Sequence, residues 1–417
     1  MTLMSIVRRS LRQHALSSGI TIVSVALAAG LTMAVFAIKT QTYQAFTGGP
    51  VGFDAVLGAR GSQLQLVLNT VFHLETSPGN IPWSMYTAMA QDPRVALAIP
   101  YAVGDNYKGF RIVGTTQEIF TKFEYRKGQP FQAEPGGRLF DPDKKEAVIG
   151  SYAARSTGLT VGATFNPYHG LATDPKARHA DVYTVVGVLK PTNSPSDRVV
   201  WIPIDGIFRM SGHVLRGTGQ MYKPVEGETI PDEDKEVSAV MLKFRSPQTG
   251  FMMDQTINKQ GKVATLAWPI AKSMTELFDR IGWVNRILAM VAYLVVVVAA
   301  GSVLASIYNT MNERRREFAI LRALGARRAT VFSAIVLEAV AITGLGAFLG
   351  FLAYGGILSA AFIIVRAQTG VVLDAFKLDP ALWLTPLGLT LIGALAGMVP
   401  AFKAYRTDVA SNLTPLS

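Results

Sequence analysis

The chain has 417 residues, and because only 17% of them are charged while 49% are hydrophobic, its composition indicates a membrane protein rather than a soluble globular one. It contains no cysteine, which excludes disulfide frameworks, thiolate metal sites and cysteine nucleophiles. Its formal net charge of +11 leaves nucleic acid and anionic lipid open as partners until the charge is located along the chain.

The first long apolar run lies at residues 20–38, after an N-terminal segment, 1–19, that carries Arg8, Arg9 and Arg12. A spanning helix needs about 20 apolar residues, and this run is longer than the apolar core of a signal peptide. Its only small-residue cleavage pattern falls in the middle of the run, at 26–28. The sequence therefore predicts an uncleaved first span.

Residues 39–286 are enough for one or two folded domains and read as mixed α/β. Runs rich in β-branched and aromatic residues predict strands at 95–99, 109–113, 182–189, 199–204 and 237–244. Helices are predicted at 82–90, 152–157 and 274–286, the last continuing without a break into the next span. Turn-forming residues predict exposed loops at 192–197 and 218–234. The partly amphipathic stretch 53–75 either lines a substrate path or packs within the domain.

The chain shows no sequence pattern typical of an enzyme active site, and GxSxG, HExxH and GxxxxGK[ST] are all absent. Any ATP-driven work therefore needs an ATPase on a separate chain. The mixed charge run 141–146 is predicted to be a solvated turn, and the three acids 232–234 a solvated loop, because they lack the alternation of a calcium-binding loop. No two histidines have the i, i+4 spacing of a helical metal site. We therefore predict no catalytic, cofactor-binding or metal residue, and scattered positions for the histidines: His14, His73, His169, His179 and His213.

Three further apolar runs, at 287–307, 331–365 and 381–402, contain a single charge, Glu338. The run at 331–365 is too short for two spans and a turn, so it counts as one. The predicted fold class is a membrane protein, α-helical with four transmembrane helices in a 1+3 arrangement and a large mixed α/β extracytoplasmic domain between helices 1 and 2.

The basic residues that flank these spans predict the orientation of the chain. They are concentrated in 1–19, 308–330 and 403–417, which must share one side, whereas the short loop 366–380 has two basic residues against two aspartates. Both termini and 308–330 are therefore predicted to be cytoplasmic, with 39–286 outside. A basic cluster at the membrane surface favours anionic lipid or an acidic partner over nucleic acid.

The densest basic cluster lies in the loop 308–330, where residues 311–326 are predicted to form one amphipathic helix. Four apolar residues form a single predicted stripe: Phe318, Ile320, Leu321 and Leu324. Gly325 suits a helix end with positive φ. The arginines either hold the loop inside without a partner or pair with carboxylates of another protein.

The stretch 313–338, ERRREFAILRALGARRATVFSAIVLE, resembles the coupling region of MacB/FtsX-type ABC transporter permeases, which include the Lol lipoprotein-release permeases. PAFKAYRTD at 400–408 is similar to the closing motif of that family. EAVIGSYAARSTGLTVGATF at 146–165 and VVGVLKPTNSPSDRVVWIPI at 185–204 resemble segments of its periplasmic domain. The resemblance extends over nearly the whole chain.

The resemblance implies a bacterial inner-membrane permease that works with a cytoplasmic ABC ATPase dimer, which would hold the ATP and Mg²⁺, and with a second permease copy or a related permease. A periplasmic adaptor is left open. The domain at 39–286 would have two lobes, the second at about 109–224. ATP binding would be relayed through the second span to this domain, a process called mechanotransmission. The residues implied in ATPase coupling are Glu313, Arg314, Arg315, Arg316, Glu317, Phe318, Leu321, Arg322, Leu324 and Gly325.

Three residues within the third span have implied structural roles. Glu338 is expected to pair with a group on the coupling helix or a neighbouring span, with a proton relay as the alternative. Gly346 and Gly350 form a GxxxG motif that permits close helix packing, either within the chain or in a dimer.

Three functions remain open at this point. The first is a permease that exports or extracts a hydrophobic compound, lipid, lipoprotein or peptide. The second is an FtsX-like regulator that activates a periplasmic partner without transport, and the large outer region favours the permease over it. The third is a receptor or anchored enzyme without an ATPase, which the coupling motif argues against.

Overall fold

The structure is a computed structural model, and it describes residues 3–48, 52–126, 128–170, 177–210, 230–370, 372, 374 and 377–406. The chain divides into a helical unit and an α/β domain. The helical unit comprises Met1–Thr42, Ile281–Ile364 and Leu373–Ser417, and the α/β domain comprises Tyr43–Arg280 and Val365–Val372. Among the described residues, four helices are long and apolar enough to cross a membrane. The predicted class, with an α/β domain between the first span and three others, is confirmed.

Within the described residues the chain forms helices and strands that we number in chain order. The helices are α1 (Leu3–Gln13), α2 (Ala15–Tyr43), α3 (Gln63–Thr70), α4 (Trp83–Gln91), α5 (Glu118–Thr121), α6 (Ser151–Thr157), α7 (Ile204–Phe208), α8 (Pro247–Asp254), α9 (Ile270–Arg280), α10 (Gly282–Glu313), α11 (Arg315–Ala323), α12 (Arg328–Thr369) and α13 (Ala381–Arg406). The strands are β1 (Ala55–Ala59), β2 (Ile81–Pro82), β3 (Val95–Tyr107), β4 (Phe110–Thr115), β5 (Glu124–Arg126), β6 (Gln129–Pro130), β7 (Glu146–Ile149), β8 (Thr164–Phe165), β9 (Tyr168–His169), β10 (Tyr183–Val188), β11 (Val200–Pro203), β12 (Glu236–Val237), β13 (Ala239–Phe244) and β14 (Ala264–Ala267).

The α/β domain is built on a mixed sheet with the strand order β14-β1-β13-β3-β4-β11-β7-β10-β8, and β9 pairs with β3. Strand β3 has 13 residues; its first half pairs with β13 and its second half with β4 and β9. The pairs β4–β11 and β7–β10 are parallel, whereas the other pairs of this sheet are antiparallel. One long strand therefore joins two halves of the sheet.

Both faces of this sheet are buried, which explains why several strands read as continuous apolar runs instead of alternating ones. Along β11, Val200 and Ile202 belong to one core while Trp201 belongs to the core on the opposite face. Helices α4, α6, α7 and α8 contribute to the first core, and α3, α5 and α9 contribute to the second. The stretch 53–75 forms β1 and α3 and packs within the domain through Val56, Leu66 and neighbouring residues.

Two predictions about the helices and loops of this region are wrong. The helix predicted to run unbroken from 274 into the next span is interrupted at Ile281, where φ is −91° and ψ is 5°. Gly282 follows directly, and glycine weakens a helix interior by roughly 0.5–1 kcal/mol. The predicted exposed loop 192–197 contains two buried residues, because the Asp197 carboxylate accepts hydrogen bonds from the backbone N–H groups of Thr192 (2.9 Å) and Asn193 (3.0 Å). The loop predicted at 218–234 lies outside the described residues up to 229.

The helical unit is centred on α2. Of the 18 most apolar consecutive residues of α2, half are buried inside the chain. The corresponding share is 17% in α10, 17% in α12 and 22% in α13. Helix α12 has 42 residues and is continuous, so the run at 331–365 does form one span. At 1.5 Å per residue α12 is roughly 60 Å long, about twice the thickness of a bilayer's hydrocarbon core.

Close packing in this unit depends on glycines that face other helices. A Cβ atom added to Gly350 of α12 would lie 2.6 Å from the Ala29 Cβ of α2, and one on Gly346 would lie 2.7 Å from Val25. On α13, a Cβ on Gly393 would lie 2.1 Å from Thr343 of α12. The GxxxG motif of α12 is therefore occupied by α2 of the same chain.

His73 is a buried histidine of the α/β domain whose pKa lies far from its ordinary value. It has a positive φ of 56°, and its ring meets Trp201 edge-on with centroids 6.1 Å apart. Burial, together with the positive charges of Arg111 and Arg198, lowers the pKa of His73 from 6.5 to about 3. The folded protein therefore holds this imidazole neutral.

We expect this histidine to make the α/β domain less stable in acid. Between pH 6.5 and about 3 the unfolded chain binds a proton at His73 that the folded chain does not. The free energy of unfolding should therefore fall by about 1.4 kcal/mol for each pH unit below 6.5. The variant His73→Asn should lose this contribution to the pH dependence of unfolding. Asparagine is chosen because it tolerates a positive φ. Denaturant unfolding at about pH 7.5 and about pH 5.5 measures it, and equal pH dependence in both proteins would contradict it.

Candidate functional site

The candidate site is the coupling segment, residues 313–325, which connects α10 with α12. The predicted single helix 311–326 is wrong at its start, because α10 extends to Glu313 and α11 begins at Arg315. Arg314 lies between these two helices, and its φ of −98° and ψ of 9° depart from helical geometry. Its backbone still joins them, since its N–H donates to Thr310 O and its carbonyl accepts from the Phe318 N–H. The segment is therefore a short helix set off from α10 by one residue.

The end of α11 has the geometry that the sequence predicts. Gly325 has φ +96°, and no atom lies within 4 Å of the position that a Cβ would take. The Gly325 N–H donates to Arg322 O, and the Ala326 N–H donates to Leu321 O, both at 3.0 Å. These two bonds define a Schellman motif, which glycine favours because it adopts positive φ without steric cost.

The apolar residues of α11 do not form the single stripe predicted. Phe318 is 7% exposed and Ala319 5% exposed, and both face the helical unit. Ile320 is 44% exposed and Leu324 80% exposed. On a helical wheel these two residues share a face with Arg316, opposite Phe318. The helix is thus two-sided: one apolar face packs inward and a second, flanked by arginine, faces outward.

The outward face of α11 combines charge with apolar surface. Arg315, Arg316, Ile320 and Leu324 are all exposed, and Glu317 has a side chain that is 48% exposed. Exposed apolar residues among guanidinium groups are typical of a protein-docking surface, since arginine is enriched in interfaces and pairs with carboxylates. We call these four exposed residues (315, 316, 320 and 324) the α11 outer face; 316, 320 and 324 share one side of the helix, and 315 is its first residue.

Arg314 differs from the neighbouring arginines because its side chain is only 7% exposed. It contacts Glu317 at 3.0 Å and the buried Glu338 of α12 at 3.7 Å, and its guanidinium lies 5.0 Å from the Phe318 ring centre. Glu338 also accepts a hydrogen bond of 2.6 Å from the Ser10 hydroxyl of α1. This polar cluster (Ser10, Arg314, Glu317 and Glu338) ties the coupling segment to α1 and α12.

Helix α1 adds residues that the sequence analysis missed. From the sequence we assign no structure to the segment 1–19, whereas α1 is an 11-residue amphipathic helix whose buried residues are Val7 and Ser10. At its end, His14 contacts Glu313 at 2.9 Å. The apolar residues at 3, 6, 7 and 11 carry the helical period that could have revealed it.

A cavity of about 550 Å³ lies within the helical unit, between α2, α10 and α13. Phe36, Tyr293, Leu384, Leu389 and Ile392 supply most of its apolar lining, with a few threonines and Asp379. It lies along the C-terminal half of α2 and the N-terminal halves of α10 and α13. A cavity of this size and lining suits an apolar ligand or an acyl chain.

The structure also corrects the predicted scatter of the histidines. In the α/β domain His169 and His179 both converge on Asp105, with nitrogen–oxygen distances of 3.3 Å and 3.2 Å. The sequence could not reveal this cluster, because its members lie 64 and 74 residues beyond Asp105 and strand pairing brings them together.

Two family descriptions match this sequence. The MacB-like periplasmic core domain matches residues 18–256, which is more than half of the chain, and the FtsX-like permease C-terminal region matches residues 289–409. The second match contains the coupling segment and the last three spans.

Individual proteins are similar to the chain over parts of their length. The macrolide export ATP-binding/permease protein MacB of Burkholderia cenocepacia is 32% identical over 339 residues, which is 77% of this chain and 44% of that protein. The protein of the same name from Rhodospirillum rubrum is 28% identical over 235 residues, covering 54% of this chain and 32% of that protein. The chain thus spans less than half the length of these curated relatives. The crystal structure of the periplasmic region of MacB from Actinobacillus actinomycetemcomitans matches 55% of this chain and 94% of that chain, with 11% identity and a TM-score of 0.33.

Proposed function

Because this chain belongs to the MacB/FtsX-type family of ABC transporter permeases, we propose that it is a permease subunit that couples ATP hydrolysis on a separate ATPase chain to conformational change in its α/β domain. Through that change it exports or extracts a hydrophobic compound. It is a multi-pass membrane protein, and we place it in the bacterial inner membrane with both termini and the coupling segment in the cytoplasm.

The observation that carries this proposal is the α11 outer face. Arg316 presents exposed positive charge on the same side of α11 as the exposed Ile320 and Leu324, and Arg315 adds a second exposed guanidinium at the start of this short helix, which joins two spans. The ATPase would contribute carboxylates and an apolar pocket to this surface. In the same proposal Arg314 does not contact the ATPase, because it is buried in the polar cluster and fixes α11 to the permease.

The polar cluster connects α11 to the membrane-spanning helix α12 and to α1. A movement of α11 displaces Arg314, and Arg314 is held to Glu338 of α12 and, through Glu338, to Ser10 of α1. An ATPase can shift the permease between two arrangements only by the difference in its affinity for them. The contacts between α11 and its neighbouring helices allow this difference in ATPase affinity to move the spans.

The cavity between α2, α10 and α13 supports a hydrophobic cargo. Its lining is mainly apolar, and it lies among three predicted spans. The curated relatives are named for macrolide export. In the proposed transporter a second permease copy completes the pathway, facing the exposed apolar residues of α10 and α13.

Charge reversal on the α11 outer face tests the ATPase partnership. We expect Arg315→Glu/Arg316→Glu to lower both co-purification with the ATPase and the cargo-stimulated rate of ATP hydrolysis by about tenfold, because two exposed contacts are replaced by repulsion. The matched control is Arg8→Glu/Arg9→Glu, which reverses two exposed charges on α1 of the same unit. The measurements are pull-down of the ATPase and its turnover in reconstituted vesicles.

Full coupling in the Arg315→Glu/Arg316→Glu protein would overturn the docking assignment, and equal loss in the α1 control would assign the effect to general surface charge. The FtsX-like regulator is tested separately. A deletion strain that retains export of every apolar compound tried but loses control of cell-wall turnover would replace the transport proposal with that of a regulator.

A further inference from the structure

Three metal-ligating side chains meet in the α/β domain, and the proposed transport function gives none of the three a role. The carboxylate of Asp105 has no exposed surface, His179 is 7% exposed and His169 is 61% exposed. One donor atom from each lies within 4.8 Å of the other two. The imidazole rings are nearly perpendicular, at 80°, with centroids 5.6 Å apart.

The backbone holds these side chains in place. Strand β9 pairs with β3 in a register that sets His169 directly opposite Asp105. The Gly170 N–H donates to Gly104 O, and the Asn106 side chain donates to Gly170 O, both at 2.8 Å. The His179 N–H donates to Pro167 O at 2.9 Å. Strand pairing therefore positions the backbone of Asp105 and His169, and a backbone hydrogen bond positions that of His179, as a preorganised site requires.

The spacing of the donors fits coordination by one ion. Two ligands at about 2.0–2.1 Å from zinc in tetrahedral geometry lie about 3.3–3.4 Å apart. In the structure the Asp105 Oδ1 lies 3.2 Å from His179 Nε2 and 3.3 Å from His169 Nδ1. Both nitrogens point to the same oxygen, so an ion near that oxygen meets all three donors after small side-chain movements.

We propose that Asp105, His169 and His179 bind one divalent transition-metal ion of the zinc class. Two imidazoles and one carboxylate are a typical zinc donor set, whereas Mg²⁺ and Ca²⁺ prefer sites made only of oxygen ligands. Three protein ligands leave a fourth position for water or another ligand. The exposed His169 places that position at the surface, where the ion can enter.

Zinc binding to the purified full-length protein tests the site. After treatment with a chelator, the protein in detergent should bind one zinc ion per chain in a competition assay with a chromophoric chelator. Asp105→Asn and His169→Gln should each weaken binding at least about 100-fold, more than the loss of an outer-shell partner does. X-ray absorption should show nitrogen and oxygen ligands at about 2.0–2.1 Å. Zinc should also raise the unfolding temperature of the unaltered protein but not that of His169→Gln.

The control is His73→Asn, which removes the third described histidine of the same domain and should keep full zinc binding. Zinc binding that is equally tight in His169→Gln and in the unaltered protein would overturn the proposal, as would no measurable binding in either. His169→Gln keeps the test decisive if Asp105→Asn fails to fold, because it changes a mostly exposed side chain.

Discussion

Glu338→Ala is expected to lower the free energy of unfolding of the helical unit by about 3–5 kcal/mol, which is the usual cost of removing one partner of a buried ion pair. Glu338 and Arg314 are each 7% exposed, and their charged atoms lie 3.7 Å apart. Without the carboxylate, the Arg314 charge loses its buried partner and keeps the half-exposed Glu317, and the Ser10 hydroxyl loses its acceptor. Reversible unfolding in mixed detergent measures the loss.

A double-mutant cycle separates the pair from its surroundings. Arg314→Met/Glu338→Met replaces both charges with apolar side chains of similar length and should recover most of the loss seen in the single variants. Ser10→Ala, which removes only one hydrogen bond, should cost about 1 kcal/mol. If the double variant is as unstable as the sum of the single variants, Arg314 and Glu338 are not coupled.

The Arg314–Glu338 pair also offers a test of whether movement of α11 is relayed to α12. Glu338→Gln keeps the shape of the side chain and can still accept from Ser10, but it removes the charge that holds Arg314. If the cluster relays movement from α11, this variant should reduce cargo-stimulated ATP hydrolysis while leaving ATPase binding intact. The α11 outer-face variants should reduce both. The two sets of variants therefore distinguish docking from relay.

The spans and five of the ten described strands of the large sheet (β3, β4, β10, β11 and β13) could be predicted from sequence because their signals are local. An apolar run of about 20 residues or a cluster of β-branched residues depends on neighbours in the chain. The end of α11 was equally predictable, since Gly325 has the residue type that positive φ demands.

Features that depend on distant residues could not be predicted in the same way. Three consecutive arginines, 314–316, look alike in the sequence, and only the position of Glu338 on another helix decides that Arg314 is the buried one. Likewise, 192–197 is polar and reads as an exposed loop, yet Asp197 is 2% exposed because it accepts backbone hydrogen bonds inside the loop. Composition does not record which polar groups find internal partners.

The GxxxG motif of α12 gives the second large expected effect. Gly350→Val should lower the free energy of unfolding by about 3 kcal/mol more than Gly356→Val does. A Cβ at position 350 meets the Ala29 Cβ at 2.6 Å and the Ala26 carbonyl at 3.2 Å, whereas nothing lies within 4 Å of a Cβ at position 356. Both variants replace glycine with valine in the same helix, so differences in helix propensity cancel.

The same comparison decides whether the motif works within one chain or between two. Because α2 occupies the groove, the loss in Gly350→Val should not depend on protein concentration. Moving one methyl group across the contact, as in Ala29→Gly/Gly350→Ala, should restore much of the stability that Gly350→Ala loses, since the nearest clash in the structure is with that methyl. A loss that appears only where dimers form, without rescue by the exchange, would instead place the motif at an interface between permease copies.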